Sequence, residues 1–418
     1  MSIEQTDTLV IGAGQAGVAT SEHLSKLDIP HIVLEKDRIA ERWRTARWDS
    51  LVANGPAWHD RFPGLEFDND PEEFVGKDQV ADYFEAYAIK HNAPIRTGVE
   101  VLSVERRANQ SGFKVVTSQG EIHAQRVVSA TGPFQKPVIP AIVPSTDSIT
   151  QMHSTAYRNP EQLADGAVLV VGAGSSGVQI ADELRAAGKK VYLSVCAHGR
   201  PPRSYRNRDF VWWLGVLGEW EAAAMKPGTE HVTIAVSGAN GGKTINFREL
   251  ANKGMTLVGR TAKFENGTLY FDNDLVDNLN KGDQNYLSVL DAADAYIERN
   301  GLDLPEEPKA REVFADAKCI SEPIRELDIS DAGISTIIWA TGFALDYSWL
   351  KVDALDEHGK PKHQRGVSDE AGFYFVGLPW LSRRGSSFIW GVWHDAKYIA
   401  DHISIQRHYL SYQDPSQC

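Results

Sequence analysis

Two copies of one glycine pattern constrain this chain more than any other feature: Gly12-Ala13-Gly14-Gln15-Ala16-Gly17 and Gly172-Ala173-Gly174-Ser175-Ser176-Gly177. Each follows a short apolar run, Thr8–Ile11 and Val168–Val171, and each precedes a stretch that reads as a helix. In such a turn the first glycine permits a sharp exit from the strand. The second lets backbone approach a pyrophosphate, and the third lets helix and strand pack closely. The helix N-terminus then offers free N–H groups and the positive end of its dipole to the anion. One copy would be weak evidence, because a glycine-rich loop need hold nothing. Two copies in strand–turn–helix context predict two bound dinucleotides, with electrons passing between them.

The first unit reads β-α-β: strand Thr8–Ile11, helix 16–26 and strand His31–Leu34, closed by Glu35 with Lys36 beside it. An acid there accepts hydrogen bonds from ribose hydroxyls, which suits FAD or NAD. A helix over 77–91 follows, then alternating segments at 99–106, 112–117 and 121–128 that read as a β-meander and run into Ala130-Thr131-Gly132. The second unit repeats the design, with helix 177–187 and strand 191–195. Here Val195 stands where an acid would be, and His198, Arg200, Arg203 and Arg206 follow it. Loss of the carboxylate and gain of Arg is the expected way to accept a ribose 2′-phosphate, since a guanidinium grips phosphate with paired N–H groups. The second site is therefore expected to prefer NADP; the plain alternative is a basic solvated loop.

Residues 205–325 interrupt the second unit with an aromatic stretch, a hairpin around Asn266-Gly267 and a helix over 273–300 stopped by Gly301 and Pro305. A second Ala340-Thr341-Gly342 ends the next strand; a strand at 373–376 and a helix over 389–403 follow. Apolar strands alternating with helices imply parallel sheets covered on both faces. The expectation is an α/β fold with two Rossmann-like dinucleotide-binding domains, the NADP domain inserted into the FAD domain. The FAD domain would comprise residues 1–160 and 330–418, and the NADP domain 161–329 with an insertion over about 205–325.

Bulk properties exclude several classes. A net charge of −13 counts against nucleic acid as a partner. No apolar run approaches the roughly 18 residues of a spanning helix, and the N-terminus lacks a basic leader with an apolar segment, so cytoplasmic residence is expected without a membrane partner. The three cysteines, Cys196, Cys319 and Cys418, lie far apart, so the closely spaced redox pair of a flavin disulfide reductase is missing. No His/Cys cluster has metal-ligand spacing, and no metal is expected.

One segment makes the pattern specific: Arg42-Trp43-Arg44, then Arg47-Trp48-Asp49-Ser50-Leu51. Together with both glycine turns and an Ala-Thr-Gly after each unit, it resembles the class B flavin-dependent monooxygenases. That group includes the flavin-containing monooxygenases, the plant YUCCA enzymes and the Baeyer–Villiger monooxygenases. The resemblance covers about residues 6–200 and 330–405 and is weakest over 205–325. It implies that the Arg42, Trp43, Arg44 and Trp48 segment lies along the flavin ring. The cofactor-binding set so implied comprises these four with Gly12, Gly14, Gln15, Ala16, Gly17, Glu35, Lys36, Val101, Ala130, Thr131, Gly132, Gly172, Gly174, Ser175, Ser176, Gly177, His198, Arg200, Ala340, Thr341 and Gly342. Asn54 falls where flavin-containing monooxygenases place an Asn beside the reactive flavin carbon, and is the candidate catalytic residue; Asn54-Gly55-Pro56 is also a good turn in its own right.

Departures from the family pattern narrow the branch. His153 to Tyr157 keeps half of the Baeyer–Villiger signature, but Asp147 and Ile149 replace its Phe and Gly. Ala40-Glu41-Arg42 stands where a Gly-Gly-x-Trp would. The resemblance is thus nearer the flavin-containing/YUCCA branch, with His153 as a residue orienting the two domains or as an ordinary interdomain histidine. It implies an FAD- and NADPH-dependent monooxygenase that forms a C4a-(hydro)peroxyflavin and passes one oxygen atom to a small organic substrate, N- or S-oxygenation first. Baeyer–Villiger-type or YUCCA-like oxidation of a carbonyl compound, an NADPH oxidase or flavin reductase, and a non-catalytic flavin-holding redox sensor stay open. Expected partners are a small-molecule substrate and O2, and a homodimer is compatible with the rest. Trp212, Trp213, Trp380, Arg383, Arg384 and Trp390 are candidates for the substrate pocket; in a chain of 11 Trp, packing is the plain alternative.

Overall fold

Strand β1 (Glu4–Ile11) is the one around which the first unit is built, and its last four residues are buried. It pairs in parallel with β2 (His31–Leu34) on one edge and with β6 (Gly120–Ser129) on the other. The computed structural model describes residues 3–145, 149–223 and 233–412; Asp147 and Cys418 lie outside the described residues. Side chains alternate across the sheet. Val10, Val33 and Val128 point into a core with helix α1 (Gln15–Lys26) and the C-terminal helix Ile389–Ser411. Leu9, Ile11, Leu34 and Val127 point the other way, into a core with Phe113, Val115, Phe373 and Phe375. Burial on both faces is why these strands read as unbroken apolar runs.

The first sheet continues from β2 to β3 (Ile95–Arg96). Past β6 it takes in the strand Phe373–Phe375, which pairs in parallel with β6 and returns the C-terminal segment to this unit. The expected meander is present as β4 (Val101–Arg106) and β5 (Phe113–Thr117), antiparallel to each other and to the start of β6. Between β2 and β3 lie a short helix α2 (Glu41–Thr45) and helix α3 (Lys77–Lys90).

The second sheet has five parallel strands in the order Thr256–Val258, Val191–Ser194, Ala167–Val171, Ile334–Trp339, Thr150–His153. Helix α4 (Ser175–Ala186) follows its central strand. This moves the expected boundaries. Strands Thr150–His153 and Ile334–Trp339, assigned by sequence to the FAD unit, pair in the second sheet, so that unit runs from about 150 to 340 rather than 161–329. The reason is backbone pairing: a central buried strand needs a neighbour on each edge, and Ala167–Val171 finds its second in Ile334–Trp339. Ala130-Thr131-Gly132 and Ala340-Thr341-Gly342 thus end equivalent strands of two sheets.

Within the insertion, the hairpin Thr261–Glu265/Thr268–Phe271 turns at Asn266 and Gly267, both with positive φ. Helix Leu275–Asn300 stops at Gly301, whose φ of 60° forms a left-handed cap. Trp213 is fully buried and donates from Nε1 to the Tyr205 carbonyl at 3.0 Å, so it is core rather than pocket wall. Among the described residues no helix is long and apolar enough to cross a membrane.

Candidate active site

The first glycine turn is shaped by contacts that admit no side chain. A Cβ on Gly12, whose φ is +101°, would lie 2.8 Å from the Ala130 carbonyl oxygen, and one on Gly17 would lie 1.8 Å from the Gly12 oxygen. Above Gly14, in contrast, nothing comes within 4 Å of an added Cβ. The N-terminus of α1 therefore opens onto free space where a pyrophosphate would sit. Glu35 accepts from the Ala13 N–H at 2.8 Å and from the Asp37 N–H at 3.0 Å, bracing the turn from the end of β2. Gln15 donates to the Ser387 carbonyl at 2.8 Å and clips the turn to the segment just before the C-terminal helix, while Ala16 packs inside. Lys36 is exposed and Val101 half-buried; Thr131 Cα lies 3.5 Å from the Cβ position of Gly12, and Gly132 follows it with positive φ. These residues fit the adenosine-pyrophosphate portion of FAD.

The aromatic-Arg segment divides its side chains. The Ala40 N–H donates to the Ala13 carbonyl at 3.1 Å, which fixes α2 against the glycine turn. Trp43 packs between the cores of both units. Arg42 donates to the Phe134 and Gln135 carbonyls. Arg44 turns outward to Asp82 and Glu85 of α3, at 2.8 and 2.9 Å, and Trp48 is buried in the second unit's core. Of the four residues expected along the flavin ring, Arg44 is thus engaged by surface carboxylates and Trp48 by a hydrophobic core. Arg47, which sequence reasoning left out of the site, lies 5.7 Å from the Trp43 ring and 5.2 Å from the Phe134 ring. Burial and the neighbouring Arg42 lower its pKa to about 10, and no carboxylate pairs with it among the described residues.

The second turn repeats the first in its backbone. A Cβ on Gly172 would meet the Ala340 oxygen at 2.5 Å, and one on Gly177 would meet the Gly172 oxygen at 1.9 Å. Gly174 differs from Gly14. Thr233 Cγ2 lies 3.4 Å from its added Cβ, and the Ile234 carbonyl oxygen 4.0 Å away. Ser175 Oγ donates to that same carbonyl at 2.8 Å, while Ser176 is exposed. The expected phosphate-binding residues are already engaged. Arg200 is 5% exposed and donates twice to Asp283, at 2.7 and 2.5 Å, over the Tyr286 ring; only its Nη1 lacks a partner. Arg203 pairs with Asp209 at 2.5 Å and Arg206 lies 2.8 Å from Asp294. His198 is buried against Phe247 and donates from Nδ1 to the Cys196 carbonyl; burial pushes its pKa down, so it brings no charge at neutral pH. The turn fits a dinucleotide, but the space above it is covered.

The segments that follow the two Ala-Thr-Gly strand ends meet at a seam. Lys136–Pro137 pairs with Phe343–Ala344, the Val138 N–H donates to the Gly342 carbonyl at 3.1 Å, and Thr341 Oγ1 donates to the Val138 carbonyl at 2.5 Å. His153 is within the second unit: its Nε2 donates to the Gly342 carbonyl at 3.0 Å, which steadies the second Ala-Thr-Gly. Asn54, on a loop of the first unit, is held by the second. Its Oδ1 accepts from Gln179 Nε2 of α4 at 2.9 Å, and its carbonyl accepts from Arg203 at 2.5 Å. Its Nδ2 has no acceptor among the described residues, and so is the group left to donate. Asp60 holds the adjacent Gly55 N–H at 2.9 Å and His59 Nδ1 at 2.8 Å. His59 in turn stacks with Trp220 and Trp390, at 5.2 and 6.0 Å. Gln179, His59 and Asp60 were missed in the sequence; the only signal was a Trp-His-Asp run two residues after Asn54-Gly55-Pro56.

Comparison with known proteins bears on what this geometry serves. The family of pyridine nucleotide-disulphide oxidoreductases matches residues 9–214. An uncharacterised CzcO-like oxidoreductase of Geobacillus kaustophilus is 36% identical over 402 residues, 95% of this chain and 98% of that one. The indole-3-pyruvate monooxygenase YUCCA1 of Oryza sativa is 31% identical over 198 residues, 46% of each chain. A flavin-containing monooxygenase from Stenotrophomonas maltophilia has the same fold, with a TM-score of 0.66 at 19% identity over 97% of this chain and 100% of that one. With its paired glycine turns meeting at one seam, the chain belongs to the class B flavin-dependent monooxygenases, as a CzcO-like oxidoreductase whose cofactors are FAD and NADP(H).

Proposed function

We propose that this protein is a cytoplasmic NADPH- and O2-consuming monooxygenase that transfers one oxygen atom to a small organic substrate, N- or S-oxygenation in preference to insertion next to a carbonyl. When bound, FAD supplies the acceptance of hydride and the activation of O2. The observation that carries the reading is Asn54, held by α4 of one unit while standing on the loop of the other, with its amide N–H2 free at the seam. A donor fixed at that point stabilises charge or a bound oxygen where the two openings meet. Gln179, Arg203 and Asp60 serve as its supports. Arg47, without a carboxylate partner among the described residues and held near the Trp43 and Phe134 rings, adds a fixed positive charge. The aromatic patch of Trp58, Trp220 and Trp390 that packs around His59 keeps water from the neighbourhood of Gly55. Preference for nitrogen or sulfur rests on the incomplete Baeyer–Villiger signature around His153.

Asn54→Ala tests this reading. FAD content should match the unmodified enzyme, while sulfoxide formation from thioanisole falls about 100-fold, the size of effect seen when one fixed donor to a reacting oxygen is removed. Hydrogen peroxide should account for the NADPH still consumed. Unchanged sulfoxide yield per NADPH would remove Asn54 from the site.

A further inference from the structure

The two glycine turns share backbone conformation and close contacts but not what covers them, and the difference is a short stretch of the insertion. We propose that residues 233–236 form a strap that stands in for the nucleotide at the second turn and leaves it when NADP(H) enters; this rests on the assignment of NADP(H) to that turn. One edge of the strap pairs with residue 199: the Gly199 N–H donates to the Thr233 carbonyl at 2.8 Å, and the Ala235 N–H donates to the Gly199 carbonyl at 2.9 Å. The other edge meets α4. Ser175 Oγ donates to the Ile234 carbonyl at 2.8 Å and accepts from the Val236 N–H at 3.3 Å, and Gln179 Nε2 donates to the Val236 carbonyl at 2.6 Å.

The Ile234 carbonyl does electrostatically what a phosphate would do. It brings the negative end of a peptide dipole to the N-terminus of a 12-residue helix and takes the Ser175 hydroxyl as donor. Thr233 meanwhile fills the approach that Gly174 would leave to a pyrophosphate, the approach that is clear above Gly14. The strap also runs between the turn and the segment after strand Val191–Ser194, the path an adenosine ribose takes in such a fold. A bound nucleotide and the strap in this position exclude one another. The strap is a light cover: Thr233, Ile234 and Val236 are all half-exposed. Its release frees Ser175 Oγ, Gly199 N–H and one N–H of Gln179. The other N–H of Gln179 holds Asn54, so arrival of the nucleotide is felt at the candidate catalytic amide. The closed strap therefore lowers apparent affinity for NADP(H) in proportion to the fraction of molecules that are open.

The test uses the FAD-loaded enzyme and NADP+ as the probe. Hydrogen exchange at the Ala235 and Val236 amides should speed up about tenfold or more on saturation with NADP+. Calorimetric titration of Thr233→Gly should give a dissociation constant about tenfold lower, as for an open state populated near one in ten. Thr233→Ala, which trims the contact without loosening the backbone, should move the same way by less. NADP+ that binds while both amides keep their protection would overturn the strap and leave the NADP(H) assignment standing, as would variants that bind no tighter. No binding heat in any of the three proteins would overturn the assignment of the second turn itself.

Discussion

Gly14→Ala separates folding from cofactor binding at the first turn, and the structure fixes the expected sizes. Gly14 has φ −78° and ψ −169°, a conformation open to any residue, and its added Cβ touches nothing. Alanine there restricts the unfolded chain, worth about 0.4–1 kcal/mol in stability, against the slightly poorer N-cap it makes. The cofactor-free protein should therefore unfold within about 1 kcal/mol of the unmodified chain. The methyl group, however, occupies the space in which a pyrophosphate would accept from backbone N–H. Losing one or two charge-assisted hydrogen bonds at about 1.5–3 kcal/mol each amounts to about 1.5–6 kcal/mol, or about 10- to 10,000-fold in FAD affinity. Gly17→Ala provides the contrast, because its Cβ would enter the Gly12 carbonyl at 1.8 Å and force helix from strand. Overpacking on that scale costs about 3 kcal/mol or more before any cofactor is added. Fluorescence titration of deflavinated protein with FAD, beside urea unfolding of the same samples, reads both quantities. If Gly14→Ala binds FAD as tightly as the unmodified protein, no pyrophosphate lies over α1 and the reading of the first turn is refuted.

Two further outcomes follow from burial. His23 is enclosed beside Trp393, where burial lowers its pKa to about 4 against an ordinary 6.5. The unfolded chain therefore binds a proton that the fold refuses, and stability present above pH 6.5 is lost as pH falls toward 4, by at most about 3 kcal/mol from this group. His23→Gln should flatten that loss in urea midpoints measured at pH 7 and pH 5; an unchanged slope would assign it elsewhere. Trp213→Phe opens space in the insertion core and leaves the Tyr205 carbonyl without its donor, at a cost of about 2 kcal/mol. KM for thioanisole should stay the same, and a raised KM at full stability would return Trp213 to the substrate pocket.

What was legible in the sequence was what local sterics dictate. Gly12, Gly17, Gly172 and Gly177 stand where any Cβ would strike backbone, so the turns are written in consecutive residues. Ala130 and Ala340 complete those contacts, which is why Ala-Thr-Gly occurs twice. Long-range pairing was not legible. Ile334–Trp339 joins a strand more than 160 residues earlier, and nothing in its own composition names the sheet it enters. The basic run after Val195 looked ready for phosphate because its partners are distant: Asp283 for Arg200 and Asp294 for Arg206 come from the helix Leu275–Asn300. Trp48 and Arg44 sit within one family motif, yet one enters a core and the other a surface ion pair, a choice made by neighbours from α3 and the second unit. The strap at 233–236 has no period and no marker residue, and only the fold reveals what it covers.

The claim on which all of this depends is that two nucleotide openings meet at one seam across which reducing power passes. Anaerobic mixing of the yellow, FAD-loaded enzyme with NADPH measures that directly. The account expects the flavin absorbance to bleach with saturable dependence on NADPH, and to return when O2 is admitted. Flavin that stays oxidised under saturating NADPH, in the unmodified protein and in Thr233→Gly alike, would contradict it.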